Sequence, residues 1–76
     1  MTDVVAIIDK NARERVQVEL SKFKGHDLIG IRVYADKGGG EWVATPKGIT
    51  LRVGHLRDLV GALHAAGRKA SEAGLI

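Results

Sequence analysis

The spacing of the apolar residues changes once along this chain of 76 residues. In the first two thirds, apolar and polar residues alternate, as in the run Val16, Val18 and Leu20, and this two-residue repeat is typical of half-buried strands. From Leu56 onward the apolar residues recur at helical spacing. That stripe consists of Leu56, Leu59, Val60, Leu63, Ala66 and Ala70. The pattern predicts an α+β fold, an antiparallel sheet of four to five strands followed by one C-terminal helix.

Glycine, proline and polar runs predict where the strands begin and end. The first strand is expected at Val4–Ile8, and the polar stretch 9–14 joins it to the next. Residues 24–27 are predicted to form the turn between the second and third strands. Three consecutive glycines at 38–40 close a second hairpin, because glycine reaches positive φ at no steric cost. Pro46 predicts a further turn before the last strand.

The chain is short for a stable hydrophobic core. A domain of this size buries only about 60% of the surface of its unfolded chain, and without cysteine no disulfide can supplement the core. We therefore expect one domain, residues 1–76, whose helix covers the sheet, and a second copy of the chain that completes the core. The expected homodimer interface consists of Leu56, Leu59, Val60 and Leu63.

Positive charge is concentrated on the predicted strands. The chain has 12 Lys and Arg residues against 9 Asp and Glu residues. Residues 10–52 carry nine of the cations and five of the acids, an excess compatible with a polyanionic partner. The longest apolar run, Val4–Ile8, is too short to span a membrane and follows an acid rather than a basic signal-peptide start. We expect a soluble protein that is not exported and has no membrane partner.

No grouping of side chains predicts catalysis. His26, His55 and His64 lack the spacing of metal ligands, and no Ser, His and acid set falls where strands would bring its members together. The glycines at 38–40 precede no helix whose N–H groups could hold a phosphate. We expect no enzyme activity, no catalytic residue, no metal and no cofactor.

Several short motifs follow one another in a specific order. A strand that ends in Phe23-Lys24-Gly25 precedes a strand that reads Leu-Ile-x-Ile-Arg-x-Tyr at 28–34. A Gly-Glu turn at 40–41, the run Lys-Gly-Ile-Thr-Leu at 47–51 and the helix come next. Over roughly residues 10–66, this order resembles the positive cofactor four family of transcriptional coactivators. The resemblance implies a curved antiparallel sheet, one helix and a homodimer, in the compact form that bacteria and phages have.

The resemblance also implies a ligand. A dimer of the kind this family forms would bind single-stranded DNA, and melted or unpaired duplex, without strong sequence preference. By position, Phe23 would stack on a base, while Lys24, Arg32 and Lys47 would contact phosphates. An aromatic ring accepts any base, and a basic groove follows the backbone without reading sequence. The predicted DNA-binding residues are Phe23, Lys24, His26, Arg32, Tyr34, Trp42, Lys47, Arg15 and Lys22.

The chain departs from the family pattern at three positions. Ala35 stands where an aromatic residue is expected, and His26 and Pro46 stand where basic residues are common. Either Tyr34 or Trp42 supplies the missing stacking surface, or binding is weaker. We expect Ala35 to face the groove, because a strand that enters a glycine turn often twists or bulges first. If the alternation of the strand persists, Ala35 instead faces the core.

Alternative interpretations stay open at this point. From local pattern alone, Phe23 is either a binding residue or a core residue, and Trp42 either contacts the ligand or lies in a core or dimer interface. The ligand could be single-stranded RNA, since nothing in the sequence reads or excludes a 2′-hydroxyl. The chain could also be an interaction module for transcription or repair proteins. The process could be transcription, replication or repair, located with the nucleoid in the cytoplasm of a prokaryote or phage host, or in a eukaryotic nucleus.

Overall fold

The computed structural model describes residues 2–76, which form one antiparallel sheet and one helix. The strands are β1 (Thr2–Asn11), β2 (Glu14–Phe23), β3 (His26–Asp36) and β4 (Trp42–Arg52). A 3-10 turn at Val53–His55 leads into the helix α1 (Leu56–Glu72). Each strand pairs with the next along the chain, in the order β1-β2-β3-β4. The predicted α+β fold is therefore confirmed, with four strands.

The β2–β3 hairpin is tighter than the sequence predicted. Its loop contains two residues, Lys24 at φ 50° and Gly25 at φ 79°. Positive φ at both loop positions is the signature of a type I′ turn, whose twist matches that of the flanking strands. Phe23 and His26 close the hairpin as a direct cross-strand pair. His26 is therefore part of β3 rather than of the turn.

Pro46 does not make a turn, so that prediction is wrong. β4 continues through it, and the strand absorbs it in a bulge. Arg32 faces Gly48 and Tyr34 faces Ala44, which leaves three residues of β4 opposite a single residue of β3. Proline cannot donate a ladder hydrogen bond, and edge strands and bulges are where a sheet tolerates it.

The two faces of the sheet differ in chemistry. Directly paired residues of an antiparallel sheet point to the same side. One side, which we term the apolar face, carries the pairs Val16–Val33, Val18–Ile31 and Leu20–Ile29 and continues onto β4 through Ile49 and Leu51. The other side, the polar face, carries the pairs Arg15–Tyr34, Gln17–Arg32 and Phe23–His26. The alternation in the sequence predicted this separation.

The helix does not cover the sheet within one chain, and that prediction is wrong. None of its residues is buried, and its main contacts are with the 3-10 turn. Three residues, the 3-10 turn, separate the end of β4 from the start of α1. Among the described residues Ile29, 4% exposed, is the one buried apolar side chain.

The helix runs through Gly67 and ends just before Gly74. Gly74 has φ 73°, and its N–H donates to the carbonyl of Ser71 at 3.1 Å. The N–H of Leu75 donates to the carbonyl of Ala70 at 2.8 Å. These two bonds form a Schellman motif, which satisfies carbonyls that the last turn leaves free. Among residues 2–76, no helix has the length and hydropathy needed to cross a bilayer.

The molecule is open for its size. Its radius of gyration is 14.4 Å, whereas a compact domain of this length has about 11 Å. Its accessible surface is 5863 Å², and a folded monomer of this mass exposes about 4,500 Å². The excess of about 1,400 Å² exceeds the ~800 Å² that one partner contributes to a typical stable interface. A single copy therefore leaves much of its apolar surface uncovered.

Candidate nucleic-acid interface

Arg32 lies at the centre of the polar face and is fixed by the bulge of β4. Its Nη1 donates to the carbonyl of Thr45 at 3.1 Å, and its Nη2 donates to Thr50 Oγ1 at 3.2 Å. The hydroxyl of Thr45 in turn donates to the carbonyl of Val33 at 2.7 Å. The bulge thus holds the guanidinium in one orientation, and no acid among residues 2–76 forms a salt bridge with it.

Arg15 and Trp42 form a stacked pair beside this centre. The guanidinium carbon of Arg15 lies 4.2 Å from the centroid of the Trp42 ring, within the range of a cation–π interaction. Arg15 Nε donates to Gln17 Oε1 at 3.0 Å, and Gln17 is only 5% exposed. One nitrogen of the guanidinium is used for positioning, and its two Nη atoms are left to meet an anion.

Tyr34 reaches along the sheet to Glu19. Its hydroxyl donates to Glu19 Oε1 at 2.6 Å, and register places the Gln17–Arg32 pair between the two residues. This hydrogen bond, followed by burial and the charge of Glu19, raises the pKa of Tyr34 above its usual value, with Arg32 acting weakly in the opposite sense. Tyr34 is therefore a neutral donor at physiological pH.

Phe23 provides an exposed aromatic ring at the end of the polar face. It is 61% exposed, so the alternative that it is a core residue is wrong for the single chain. Lys24 Nζ lies 5.4 Å from its ring centroid. His26, directly across from Phe23, has Nε2 at 3.4 Å from Nη2 of Arg52. The hairpin end thus combines one free ring with three nitrogen-bearing side chains.

Lys22 is a predicted site residue that lies away from the polar face. Its register with Asp27 places both on the side of the apolar face, and its Nζ lies 3.6 Å from Asp27 Oδ1. Lys47 is exposed within the β4 bulge. Within residues 2–76 the ion pairs are Lys22–Asp27 and Lys10–Glu14, so no salt bridge neutralises the cations of the polar face.

Ala35 does not face the groove, and the expectation that it does is wrong. It lies opposite Glu14 on β2 and Val43 on β4, so the alternation of β3 continues to the strand end. The bulge that was expected in β3 lies in β4 instead. Tyr34, the cross-strand partner of Arg15, and Trp42, whose ring meets Arg15, are the aromatic residues of the polar face near this end of the sheet.

Several polar-face residues were not among the predicted site residues. They are Gln17, Glu19, Thr45, Thr50 and Arg52. Four of them could have been identified from the alternation along each strand, because they either alternate in step with Arg15 or pair across the sheet with polar-face residues. These four are Gln17, Glu19, Thr50 and Arg52. Thr45 could not be found in this way, because its role depends on the bulge.

The predicted dimer residues lie on a helix stripe that no other element within residues 2–76 covers. Leu56 and Leu59, in the first turn of the helix, are half-buried, whereas Val60 is 44% and Leu63 58% exposed. With His64, Gly67 and Ile76, the exposed pair lines a shallow open groove. Among residues 2–76, no group of three or more His, Asp or Glu side chains is placed to hold a metal ion.

The sequence matches one protein family over most of its sheet and the first part of its helix. The model of the family described as Transcriptional Coactivator p15 (PC4) matches residues 10–62. The chain belongs to this family. The resemblance found in the order of its motifs is thereby confirmed. The search of curated proteins found no significant match.

Solved structures, two of them of PC4 homologs, share the fold. BPSL1147, a PC4 homolog from Burkholderia pseudomallei, has a TM-score of 0.82 at 24% identity, over 87% of this chain and 89% of that chain. A bacteriophage T5 homolog of the eukaryotic coactivator PC4 is implicated in recombination-dependent DNA replication. It has a TM-score of 0.60 at 21% identity, over 99% of this chain and 81% of that chain. MoSub1 in a complex with single-stranded DNA has a TM-score of 0.62 at 31% identity, over 90% of this chain and 78% of that chain.

Proposed function

We propose that this protein binds single-stranded DNA without strong sequence preference, through the polar face of its sheet and as a homodimer. The observation that carries the proposal is that cations held in fixed orientations, and outside the salt bridges found among residues 2–76, share one face with an exposed phenylalanine. Arg15 and Arg32 supply the fixed guanidinium groups, and Phe23 supplies the ring. The MoSub1 structure with single-stranded DNA supports the choice of ligand.

The physical basis of the preference for single strands is the accessibility of the bases. An aromatic side chain can stack on a base only where the base is unpaired or unstacked, and one such stack contributes about 1 to 3 kcal/mol. The cations contact phosphates, which duplex DNA also presents. Charge therefore supplies attraction to both forms, whereas Phe23 favours the single strand.

The homodimer follows from the apolar surface that one chain leaves uncovered. The helix stripe at Val60 and Leu63 and the apolar face of the sheet are both without a cover in the single chain. A second copy brings a second stripe and a second apolar face, and it doubles the DNA-binding surface. Two linked polar faces on one strand would raise the affinity through effective concentration.

The biological process we propose is transcription, replication or repair. The family is named for a transcriptional coactivator, and the T5 homolog is implicated in recombination-dependent DNA replication. All of these processes expose single strands. We place the protein with the DNA of its cell, and we propose that proteins of the same machinery are its further partners.

A fluorescence-anisotropy titration tests the proposal. Single-stranded and duplex DNA of equal length, and RNA of the same sequence, are titrated across a salt series. If about six phosphates are contacted, the slope of log K against log salt should be near −4, from roughly −0.7 per phosphate. Single-stranded DNA should bind more tightly than duplex. Equal affinity for single-stranded and duplex DNA, or a flat salt response, contradicts the proposal. If RNA binds more tightly than DNA, the ligand is RNA instead.

A further inference from the structure

A gap in the side-chain layer of the polar face lies over Gly30, in the middle of β3. Gly30 is not among the residues with positive φ. A Cβ placed on it would meet only Thr50 Oγ1, at 4.0 Å. Neither the backbone nor the packing therefore requires glycine here. Glycine inside a strand weakens it and often marks a place where a ligand approaches the backbone closely.

The two flanking strands place opposite hydrogen-bonding groups at the edges of this gap. Glu19 on β2 and Thr50 on β4 are the direct cross-strand partners of Gly30. The two flanking strands are two strand spacings apart, about 9.6 Å, which is wide enough for one flat ring. The gap therefore has a carboxylate on one side and a hydroxyl on the other.

Both flanking groups keep hydrogen-bonding capacity toward the gap. Glu19 Oε1 accepts the Tyr34 hydroxyl at 2.6 Å, and no hydrogen bond reaches the other carboxylate oxygen from residues 2–76. Thr50 Oγ1 accepts from Arg32 at 3.2 Å, so its own proton is available to donate. The gap thus offers an acceptor at Glu19 and a donor at Thr50.

A carboxylate is unsuited to a phosphate but suited to a base. Glu19 repels the backbone phosphates that Arg15 and Arg32 attract, so the part of a strand that reaches Gly30 must be a nucleobase. An acidic side chain accepts hydrogen bonds from exocyclic amino groups, such as N4 of cytosine. Uracil and thymine have a carbonyl oxygen in that position, and its lone pairs face those of the carboxylate.

We propose that the gap over Gly30 is a nucleobase subsite that selects a base with an exocyclic amino group, and among pyrimidines cytosine over uracil or thymine. The subsite rests on the proposed single-strand binding and adds a base preference to it. Glu19 is its specificity-determining residue. Tyr34 holds the carboxylate in position, and Gly30 leaves room for the ring.

The test compares oligo(dC) with oligo(dU), each of about twelve nucleotides, in anisotropy titrations at one salt concentration. The two oligomers share a backbone, and their bases differ at position 4, an amino group in cytosine and a carbonyl in uracil, and at N3, which carries a proton only in uracil. The wild-type protein should favour oligo(dC) by about three- to tenfold, the contribution of a single hydrogen bond. Glu19→Gln keeps an acceptor for Tyr34 and turns an amide N–H toward the gap, so the ratio should fall to about one or reverse.

Two further variants separate base selection from charge and folding. Asp9→Asn removes an acid on the same face, opposite Arg15, and should strengthen binding of both oligomers equally. Gly30→Ala fits without a clash, so it should melt no lower than the wild type, yet it should reduce the ratio by lifting the base. Equal binding of both oligomers by the wild type, or an unchanged ratio in Glu19→Gln, overturns the subsite alone. Binding of neither oligomer overturns the proposed function, and the subsite with it.

Discussion

Arg15, Gln17 and Trp42 show how single residues prepare the polar face for a ligand. The buried amide of Gln17 holds Arg15 Nε at 3.0 Å, and the indole of Trp42 supports the guanidinium from below at 4.2 Å. Arg32 is held in a comparable way by Thr45 and Thr50. Side chains that are already ordered lose less conformational entropy on binding. We therefore attribute the affinity to few, fixed cations rather than to many mobile ones.

A substitution at Phe23 separates the contribution of base stacking to DNA binding from that of charge. Phe23→Ala should weaken single-strand binding by about 1 to 3 kcal/mol with little change in the salt slope, because the variant loses a stacked base and no charge. Its melting temperature should hardly change, since the ring is 61% exposed. Anisotropy titrations across salt and a thermal melt measure both effects.

Two lysines provide the matched comparison. Lys24→Ala, beside the ring, should flatten the slope by roughly 0.7 to 1.4 in a dimer. Lys22→Ala, on the opposite side and paired with Asp27, should change it less. If Phe23→Ala unfolds the protein, or if both lysine variants behave alike, the assignment of the polar face is wrong.

Tyr34 gives the stability a dependence on alkaline pH. Its hydrogen bond to Glu19 raises its pKa from the ordinary value of 10.0, so the folded state holds the phenolic proton more tightly than the unfolded chain. This contribution is complete below the unfolded pKa and is lost as the pH rises through the folded pKa. The melting temperature should therefore decline above about pH 10, and less steeply in Tyr34→Phe.

An absorbance titration of the phenolate reports the same group directly. Tyr34 is the sole tyrosine of the chain, so the signal needs no assignment. A midpoint at or below that of free tyrosine would show that the bond to Glu19 is absent in solution.

At the scale of the elements, the bulge of β4 matters most. It accommodates Pro46 and brings the carbonyl of Thr45 to Arg32. It also brings the backbone of Gly48, at φ 154°, so close to β3 that a Cβ on Gly48 would lie 2.8 Å from Arg32 Cα. The position of the central guanidinium thus depends on a glycine of the neighbouring strand.

Gly48→Ala should destabilise the fold. Its methyl group would collide with backbone atoms of Ile31 and Arg32, and a strained backbone costs about 1 to 3 kcal/mol. Gly61→Ala is the matched control, because the space around Gly61 in the helix is open and alanine favours a helix by about 1 kcal/mol. Urea unfolding should move the two variants in opposite directions. A Gly48→Ala protein as stable as the wild type would contradict the tight approach of β4.

The elements themselves could be predicted from the sequence, but their irregularities could not. Alternation along β2 and β3 identified both faces, and helical spacing from Leu56 located the start of α1. Pro46 was misassigned because a bulge and a turn have the same local signals, and the difference lies in the pairing with β3. Ala35 was misplaced because the sequence does not show which of two paired strands carries a bulge. The uncovered helix could not be foreseen, because the pattern of a stripe does not say which chain covers it.

At the scale of the whole molecule, the open shape is the dominant feature. The chain exposes about 1,400 Å² more than a compact monomer of its mass, and its helix points an apolar stripe at solvent. Because the net stability of a small domain is only a few kcal/mol, burial of this surface would add substantially to it. Association of two copies is the simplest way to cover it.

Leu63→Asp should separate the copies. Leu63 is 58% exposed in one chain, so a carboxylate there is tolerated by the monomer and excluded from an apolar interface. We expect lower thermal stability, a smaller sedimentation coefficient and weaker DNA binding, because one polar face replaces two. Leu75→Asp, beyond the end of the helix and 75% exposed, should change none of these. A wild-type protein that sediments as a stable monomer at micromolar concentration would contradict the dimer.

The most direct measurement of the central claim uses the single tryptophan of the chain. Trp42 lies on the polar face under the guanidinium of Arg15, so its emission reports whether a strand occupies that face. Titration with single-stranded DNA should change Trp42 emission along the same curve as the anisotropy, and Phe23→Ala should shift both curves to weaker binding. Binding that leaves the emission of Trp42 unchanged and does not depend on Phe23 would show that DNA lies elsewhere on the protein.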